Sequence, residues 1–537
     1  MKIKTNNLFI GVLFLIGLLI GFYIEKFFHR DEIDKNTKII SEIISLTKNY
    51  YYEKVEIKDL IESAINGIFD KLDPHSVFIP SKELTRIEES FRGDFEGIGI
   101  EFQIVNDTLT VVTPISGGPS EQLGILPGDR IIEIENESVI GITDEEVRQK
   151  LRGKAGTQVS ITIHRPKSNK KINYKITRDK IPIFSIDAAF MFNKSTAYIN
   201  ISRFSETTSN ELLKALEKLK KQGMKKLILD FRGNPGGYLS QAVRIADYFI
   251  DGNKKIVYTT GRIKDFNEEY FASETYTYEN IPLVVLINRG SASASEIVAG
   301  AIQDWDRGFI VGETSFGKGL VQRQFELSGK SAVRLTISEY FTPSGRNIQR
   351  KFVTGKSKKD YYQELLNFDE KVGENFFHEN EEDSTKPVYY TLKMKRKVYG
   401  GGGITPDYIV KNYEITELTQ NLLKENLFYT FTLSYLDVNA DNIKKQFNGN
   451  LYKFKSEFHI NDDILNSFLN YSKSKSIKIN LDDLSKDLSF IKTRLKAQIA
   501  RNFWKNEGWY YVILDNDLQF KKALNLIEDS LNFSRLK

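Results

Sequence analysis

The spacing of apolar positions changes several times along the chain, and each change marks a new kind of structure. From Glu32 to about Phe91, Ile39, Ile40, Ile43 and Ile44, then Leu60, Ile61, Ala64, Ile65 and Ile68, recur every three or four residues. That period predicts helices, with Leu72-Asp73-Pro74-His75-Ser76 breaking them as a turn. Between Gly93 and about Arg178 the pattern shortens to strands: one begins at Gly97 to Phe102, and others cover Thr108 to Thr113, Arg130 to Ile134 and Val159 to His164. One helix is expected among them, Asp144 to Leu151, with Val147 and Leu151 on a common face. From about Pro182 to Tyr340 strands and helices alternate. Strands are read at Ala197–Ile201, Lys226–Phe231, Leu283–Ile287 and Phe309–Val311, and helices at Ser209–Gln222, Tyr238–Ile250 and Ser293–Trp305. This order argues an α/β core with a largely parallel sheet. Lys351 to Lys397 is strongly charged and reads as an inserted surface excursion, partly helical around Tyr361 to Leu366. Gly400 to Gly403 and Ile404-Thr405-Pro406-Asp407 end it, and the remainder to Lys537 reads as mainly helical.

The first residues follow no globular pattern. Lys2 and Lys4 precede an apolar run from Leu8 to Ile24, and a charged stretch, Glu25 to Lys35, follows it. Such a run can cross a hydrocarbon core of about 30 Å, and positive charge ahead of it favours the N-terminus inside. No small-x-small cleavage site follows. The expectation is therefore an uncleaved signal anchor: a single-pass inner-membrane protein with its bulk on the periplasmic side.

Composition removes several function classes. The 537 residues include 76 basic and 71 acidic side chains, a formal +5 that is scattered rather than striped, so nucleic acid is not an expected partner. There is no cysteine, which excludes disulfides and thiol catalysis. Five histidines form neither HExxH nor a cluster, so no metal and no cofactor are expected. Aromatic and aliphatic helices after Asn412 suggest self-association into a homo-oligomer.

Chemistry concentrates at Asn288-Arg289-Gly290-Ser291-Ala292-Ser293-Ala294-Ser295-Glu296-Ile297. A buried strand ends, small residues turn, and a helix begins near Ser293. That geometry lifts a hydroxyl above the sheet edge and sets the Ala294 N–H beside it for an oxyanion. Read alone, these serines are better explained as helix caps. A nucleophile needs a base, and no histidine lies between His164 and His378. His75, in its turn, reads as structural. Lysine substitutes when desolvation lowers its pKa from about 10.4 toward neutrality. Lys318 meets the requirement, in Thr314-Ser315-Phe316-Gly317-Lys318-Gly319, and Gln322 follows on the same face of an extended segment.

The same stretch, Gly312 to Lys318, also matches the phosphate-loop pattern GxxxxGK. The match fails because Gly319 replaces the magnesium-binding Ser or Thr, and Leu320 to Leu327 alternates like a strand where a helix should start. A third segment, Asp230-Phe231-Arg232-Gly233-Asn234-Pro235-Gly236-Gly237, ends another buried strand, where ligands gather in α/β sheets. Gly236 and Gly237 offer amides for a second oxyanion donor, and a plain glycine-rich turn is the alternative. In the strand-rich segment, the loop Gly97-Ile98-Gly99-Ile100 offers amides to a terminal carboxylate, with Ile98, Ile100, Val147 and Leu151 as an apolar pocket for the last side chain.

With these residues in view, the chain resembles the carboxyl-terminal processing (tail-specific) serine proteases. The resemblance rests on LDPHS (Leu72 to Ser76), the GIGI loop, LDFRGNPGG (Leu229 to Gly237), GSASASEI, TSFGKGLVQ (Thr314 to Gln322), YFTPSGRNIQ (Tyr340 to Gln349) and GITPD (Gly403 to Asp407). It covers about Glu32 to Asp407. It implies Ser293, Lys318 and Gln322 as catalytic residues, an oxyanion hole from Ala294 and Gly236 or Gly237, and substrates held by their C-terminal tails in a PDZ domain. The charged excursion and the tail after Asp407 depart from the family pattern. The fold expected is an α/β protease core of the ββα type, a crotonase-like sheet with helices, plus a small β-rich PDZ domain and helical N- and C-terminal regions. The boundaries expected are an anchor at 1–30, a helical region at 31–91, the PDZ domain at 92–180, the protease core at 181–410 with its insertion at about 351–399, and a helical region at 411–537. A catalytically silent, membrane-anchored PDZ adaptor is the competing reading.

Overall fold

A computed structural model describes residues 33–166, 169–273, 276–352, 357–366, 372–377 and 386–529, together with Gly17, Leu531, Phe533 and Leu536. The chain divides into two compact units, residues 1–78 and 79–537. The first contains the helix Ile57–Phe69, one of the helices expected from the three- and four-residue period. The turn after it is tied by Asp73, whose carboxylate accepts from the N–H groups of His75 (2.9 Å) and Ser76 (3.1 Å) and from the Ser76 hydroxyl (2.6 Å).

The membrane expectation is corrected here. Among the described residues no helix is long and apolar enough to cross a membrane. The run from Leu8 to Ile24 that suggested a span lies outside the described residues, apart from Gly17.

In the second unit the strand-rich segment folds as a sheet in which Ile100–Val105, Thr108–Pro114, Arg130–Ile134, Gln158–Arg165 and Lys170–Thr177 are successive neighbours. The helix Asp144–Leu151 opens on a reciprocal capping box between Thr143 and Glu146, which satisfies two otherwise orphaned donors. Its Val147 and Leu151 are buried with Ile98 in the core of this domain.

The α/β segment builds a second sheet in the order Ile186–Met191, Thr196–Ile201, Lys226–Asp230, Leu283–Ile287, Phe309–Gly312, Tyr408–Ile409, Gly373–Glu374. The pairings from Thr196–Ile201 through Tyr408–Ile409 are parallel, and the outermost pair on each side is antiparallel. The inner strands are near-continuous apolar runs because both faces are covered. Ile199, Leu229, Val285 and Ile287 face one core, with Leu212, Leu216, Ala242, Ile245, Ile297 and Val298 from three helices. Tyr198, Ile228, Val284 and Leu286 face the other, where Tyr511, Phe520, Ala523 and Leu526 cover them. The C-terminal region therefore completes the core: its Leu518–Glu528 helix packs on the second face of the sheet.

The charged excursion is also more than a surface feature. Its Lys358–Leu366 helix falls where the sequence suggested one, but Gly373–Glu374 extends the main sheet. Arg396 is buried between Asp306 (2.7 Å) and Asp407 (2.8 Å), with side-chain exposures of 1%, 0% and 0%. Charge density alone suggested solvent; the ion pairs explain the burial. Arg396→Ala strands two buried carboxylates, so a loss of about 3–5 kcal/mol is expected. Denaturant unfolding of the two proteins checks it.

A third layer, antiparallel, contains Lys255–Thr260, Glu269–Phe271 and a long hairpin of Leu320–Leu327 with Ser331–Phe341. A bulge between Val321 and Gln322 interrupts that hairpin near its start.

Candidate active site

The Leu283–Ile287 strand runs into a turn of small residues that ends at Ser293, the residue before the Ala294–Asp304 helix. Ser293 has φ 54° and ψ −111°, a conformation unfavourable for a residue with a Cβ. Such strain persists only where the surroundings enforce it. Here the Ser293 N–H donates to Glu296 Oε2 at 2.7 Å, and its carbonyl accepts from the Tyr340 hydroxyl at 3.1 Å. The other two serines of the motif are structural. Ser291 donates to the Phe231 carbonyl (2.9 Å) and Ser295 to the Asn234 carbonyl (3.0 Å), stapling the turn to the glycine loop.

That loop follows the Lys226–Asp230 strand. Asn234 holds it, donating to the Ile201 carbonyl and accepting from the Gly236 N–H, both at 2.8 Å. The Gly236 amide is thus already bonded within the loop, whereas the Gly237 and Ala294 N–H groups donate to no described group. A Cβ on Gly237 would lie 1.9 Å from the Phe204 carbonyl oxygen, and one on Gly236 2.8 Å from Ser293 Cβ. Only glycine lets these chains touch. Gly237→Ala must push the loop away from Phe204 and displace the Gly237 N–H, and kcat is expected to fall by about 10²-fold or more.

Lys318 lies on the loop between Phe309–Gly312 and the hairpin, and its Nζ donates to Gln322 Oε1 at 2.7 Å. No helix follows this lysine, as the phosphate-loop alternative required; the strand Leu320–Leu327 does. The loop is bound to the serine turn from within. Phe316 N–H donates to the Ser291 carbonyl at 2.9 Å. Glu296 Oε1 accepts from the Ser315 hydroxyl (2.5 Å) and the Gly317 N–H (2.7 Å), and Oε2 from the Lys318 N–H (3.0 Å). One buried carboxylate therefore holds both Ser293 and Lys318. Burial still raises its pKa, against the lowering effect of those hydrogen bonds.

Sequence reasoning quoted Glu296 without giving it a role. The available signal was a carboxylate in the first turn of an otherwise apolar helix. It likewise passed over Asp230 and Arg232. The half-buried Arg232 guanidinium lies between Asp230 (2.6 Å) and Asp517 (2.6 Å) and donates to Gln519 at 3.0 Å, so the C-terminal region grips the base of the glycine loop. Tyr198 adds a hydrogen bond to Asp230 at 2.7 Å.

Ser293, Lys318, Gln322, Gly236 and Gly237 line one cleft of about 940 Å³. Ala294 opens the helix directly after Ser293, and the other predicted residues are in the β domain, outside this cleft's lining. Gly97 ends the Asp94–Gly97 strand, Gly99 has φ +74°, and Ile100 opens the edge strand. Ile98, Val147 and Leu151 are 2%, 0% and 4% exposed.

Three segments match known families: residues 195–358 peptidase family S41, residues 110–165 the PDZ domain, and residues 418–505 a family of unknown function. The carboxy-terminal processing protease CtpB of Bacillus subtilis (strain 168) is 36% identical over 323 residues, covering 60% of this chain and 67% of that protein. A carboxy-terminal-processing protease of Bartonella bacilliformis is 38% identical over 312 residues, covering 57% and 71%. Among solved structures, the photosystem II D1 C-terminal processing protease is 28% identical, covering 58% of this chain and 89% of its own at a TM-score of 0.31.

Proposed function

The chain belongs to the carboxy-terminal processing proteases, serine proteases of family S41 with a PDZ domain, and on that premise we propose that it cleaves peptide bonds through a Ser293–Lys318 dyad after a PDZ domain has captured the substrate's C-terminal tail. The observation that carries this reading is that three segments far apart in sequence bring Ser293, the pair Lys318 and Gln322, and the glycine loop to one cleft. In this reading residues 92–180 read the tail, 181–410 form the catalytic core, and 411–537 brace it.

The chemistry balances with these groups alone. Ser293 Oγ attacks the scissile carbonyl while its proton passes to the uncharged Lys318 Nζ, held by Gln322. The tetrahedral oxyanion takes hydrogen bonds from the Gly237 and Ala294 N–H groups, which are open, rather than from Gly236, which is bonded to Asn234. The C–N bond breaks, and Lys318 returns the proton to the leaving amine. Water, deprotonated by the same amine, then attacks the acyl carbonyl; the Ser293 Oγ–acyl bond breaks, and Lys318 returns the proton to Ser293 Oγ.

Tail capture is supported by two features of the β domain. The Ile98 and Gly99 N–H groups donate to no described group, which leaves them for a carboxylate. Ile100–Val105 is an edge strand with a sheet neighbour on one side, so an extended peptide can add to the other. The test pairs a peptide with a free carboxyl end against its C-terminal amide, using wild type and Ser293→Ala. The free acid should be cleaved faster by wild type and neither by the variant. Equal rates for both peptides would remove the tail from the account, and turnover by Ser293→Ala would remove the nucleophile.

A further inference from the structure

Two guanidiniums that line the cleft around Ser293 form no ion pair with a carboxylate among the described residues. Arg334 stands on Ser331–Phe341 opposite Gln324 in register. Its Nη2 donates to Gln324 Oε1 at 3.2 Å, and its charge lies 5.2 Å from the centroid of the Phe91 ring. Burial lowers its pKa, the mark of a cation withdrawn from water without an anion in exchange. Arg203 is the second. It precedes Phe204, whose backbone bridges to Gly237, and its Nε is buried with no hydrogen-bond partner. Glu88, Glu206 and Glu268 line the same cleft, yet none forms an ion pair with either arginine among the described residues. Glu268 is instead hydrogen-bonded by the Tyr270 hydroxyl.

A half-buried cation in the cleft wall, with an amide and a ring beside it, has a place for one more ligand: a carboxylate. A charge-assisted pair would fill that place, and the Gln324 NH₂ stands beside the guanidinium as a further donor. The register fixes where along a substrate the carboxylate must lie. Gln322, the partner of Lys318, pairs with Thr336, and Gln324 pairs with Arg334 two residues further on. An extended chain advances about 3.4 Å per residue, so Arg334 is roughly 7 Å along the hairpin from the lysine's partner.

We propose that Arg334, assisted by Arg203, makes the cleft selective for substrates with an acidic side chain two or three residues from the scissile bond. This rests on the proteolytic reading above and narrows its substrate class.

The test uses the full chain and one parent peptide carrying Asp or Asn in turn at each of the three positions on either side of the cleaved bond. Wild type should favour Asp over Asn by about tenfold or more in kcat/KM at one of the second or third positions. Arg334→Gln should bring that ratio close to one while cleaving the Asn peptide nearly as well as wild type, and Arg334→Glu should favour Lys there. Arg203→Gln should reduce the ratio in part. Cleavage of every peptide by wild type at Asp/Asn ratios within about twofold would overturn acidic selectivity and leave the protease reading intact. Failure of wild type to cleave any of them is the different result that removes the protease reading, and this inference with it. The wild-type ratios decide the matter even if an arginine variant fails to fold.

Discussion

Lys318→Ala is expected to lower kcat on any cleavable peptide by about 10⁴-fold or more, as Ser293→Ala does, with KM changed far less. The reason is that neither side chain that holds this pair in place can substitute for the amine. Glu296 reaches the N–H groups of Ser293 and Lys318, but its oxygens accept from four donors already. Gln322 holds the amine and cannot accept a proton at neutral pH. Lys318→Arg should be as inactive as Lys318→Ala, because a guanidinium retains its proton. Both substitutions remove only a half-buried side chain, so unfolding midpoints should stay near wild type. Retention of a tenth of the activity in either variant would show that the proton goes elsewhere.

Replacing Glu296 should produce the other large effect, and it should move activity and stability differently. Glu296→Ala leaves two buried amides, a hydroxyl and the strained Ser293 N–H without an acceptor, a loss of about 3–5 kcal/mol. Glu296→Gln keeps the shape but sets an NH₂ against donors, so Ser293 and Lys318 separate and kcat should fall by about 10²-fold. The pH dependence follows from the raised pKa of Glu296. A carboxyl whose folded pKa is raised stabilises the fold fully below its unfolded pKa, and that contribution is lost as pH rises through the folded value. Wild type should therefore gain stability relative to Glu296→Gln as pH falls from neutral toward about 4, near the ordinary glutamate value. Activity should move oppositely, because the proton competes with the four donors that hold the site together. Parallel stability curves for the two proteins would contradict this account of Glu296.

Much of the fold was legible because the parallel strands are buried on both faces and read as unbroken apolar runs, as in Leu283–Ile287. The cleft was legible through small-residue turns at strand ends, which placed Ser293, Lys318 and Gly237 before any contact was known. What was not legible depended on partners distant in sequence. Glu296 is coupled to a loop about twenty residues away, and nothing in GSASASEI names Ser315 or Gly317. The glycine pair looked equivalent until Asn234 was seen to occupy the Gly236 amide. Arg396 sat in a charged stretch that read as solvated, although Asp306 and Asp407 bury it. The helical C-terminal region was legible as helices but not by its target, and its Leu518–Glu528 helix packs on a face of this chain's own sheet.

Everything proposed for catalysis depends on a neutral amine drawing the proton from a strained hydroxyl. The most direct test is mass-spectrometric mapping of the adduct formed by a fluorophosphonate on the full chain, across a range of pH. A single adduct on Ser293 is expected, forming faster as pH rises and not at all in Lys318→Ala. Modification of a different serine, or a Ser293 adduct that forms equally fast without Lys318, would contradict the account.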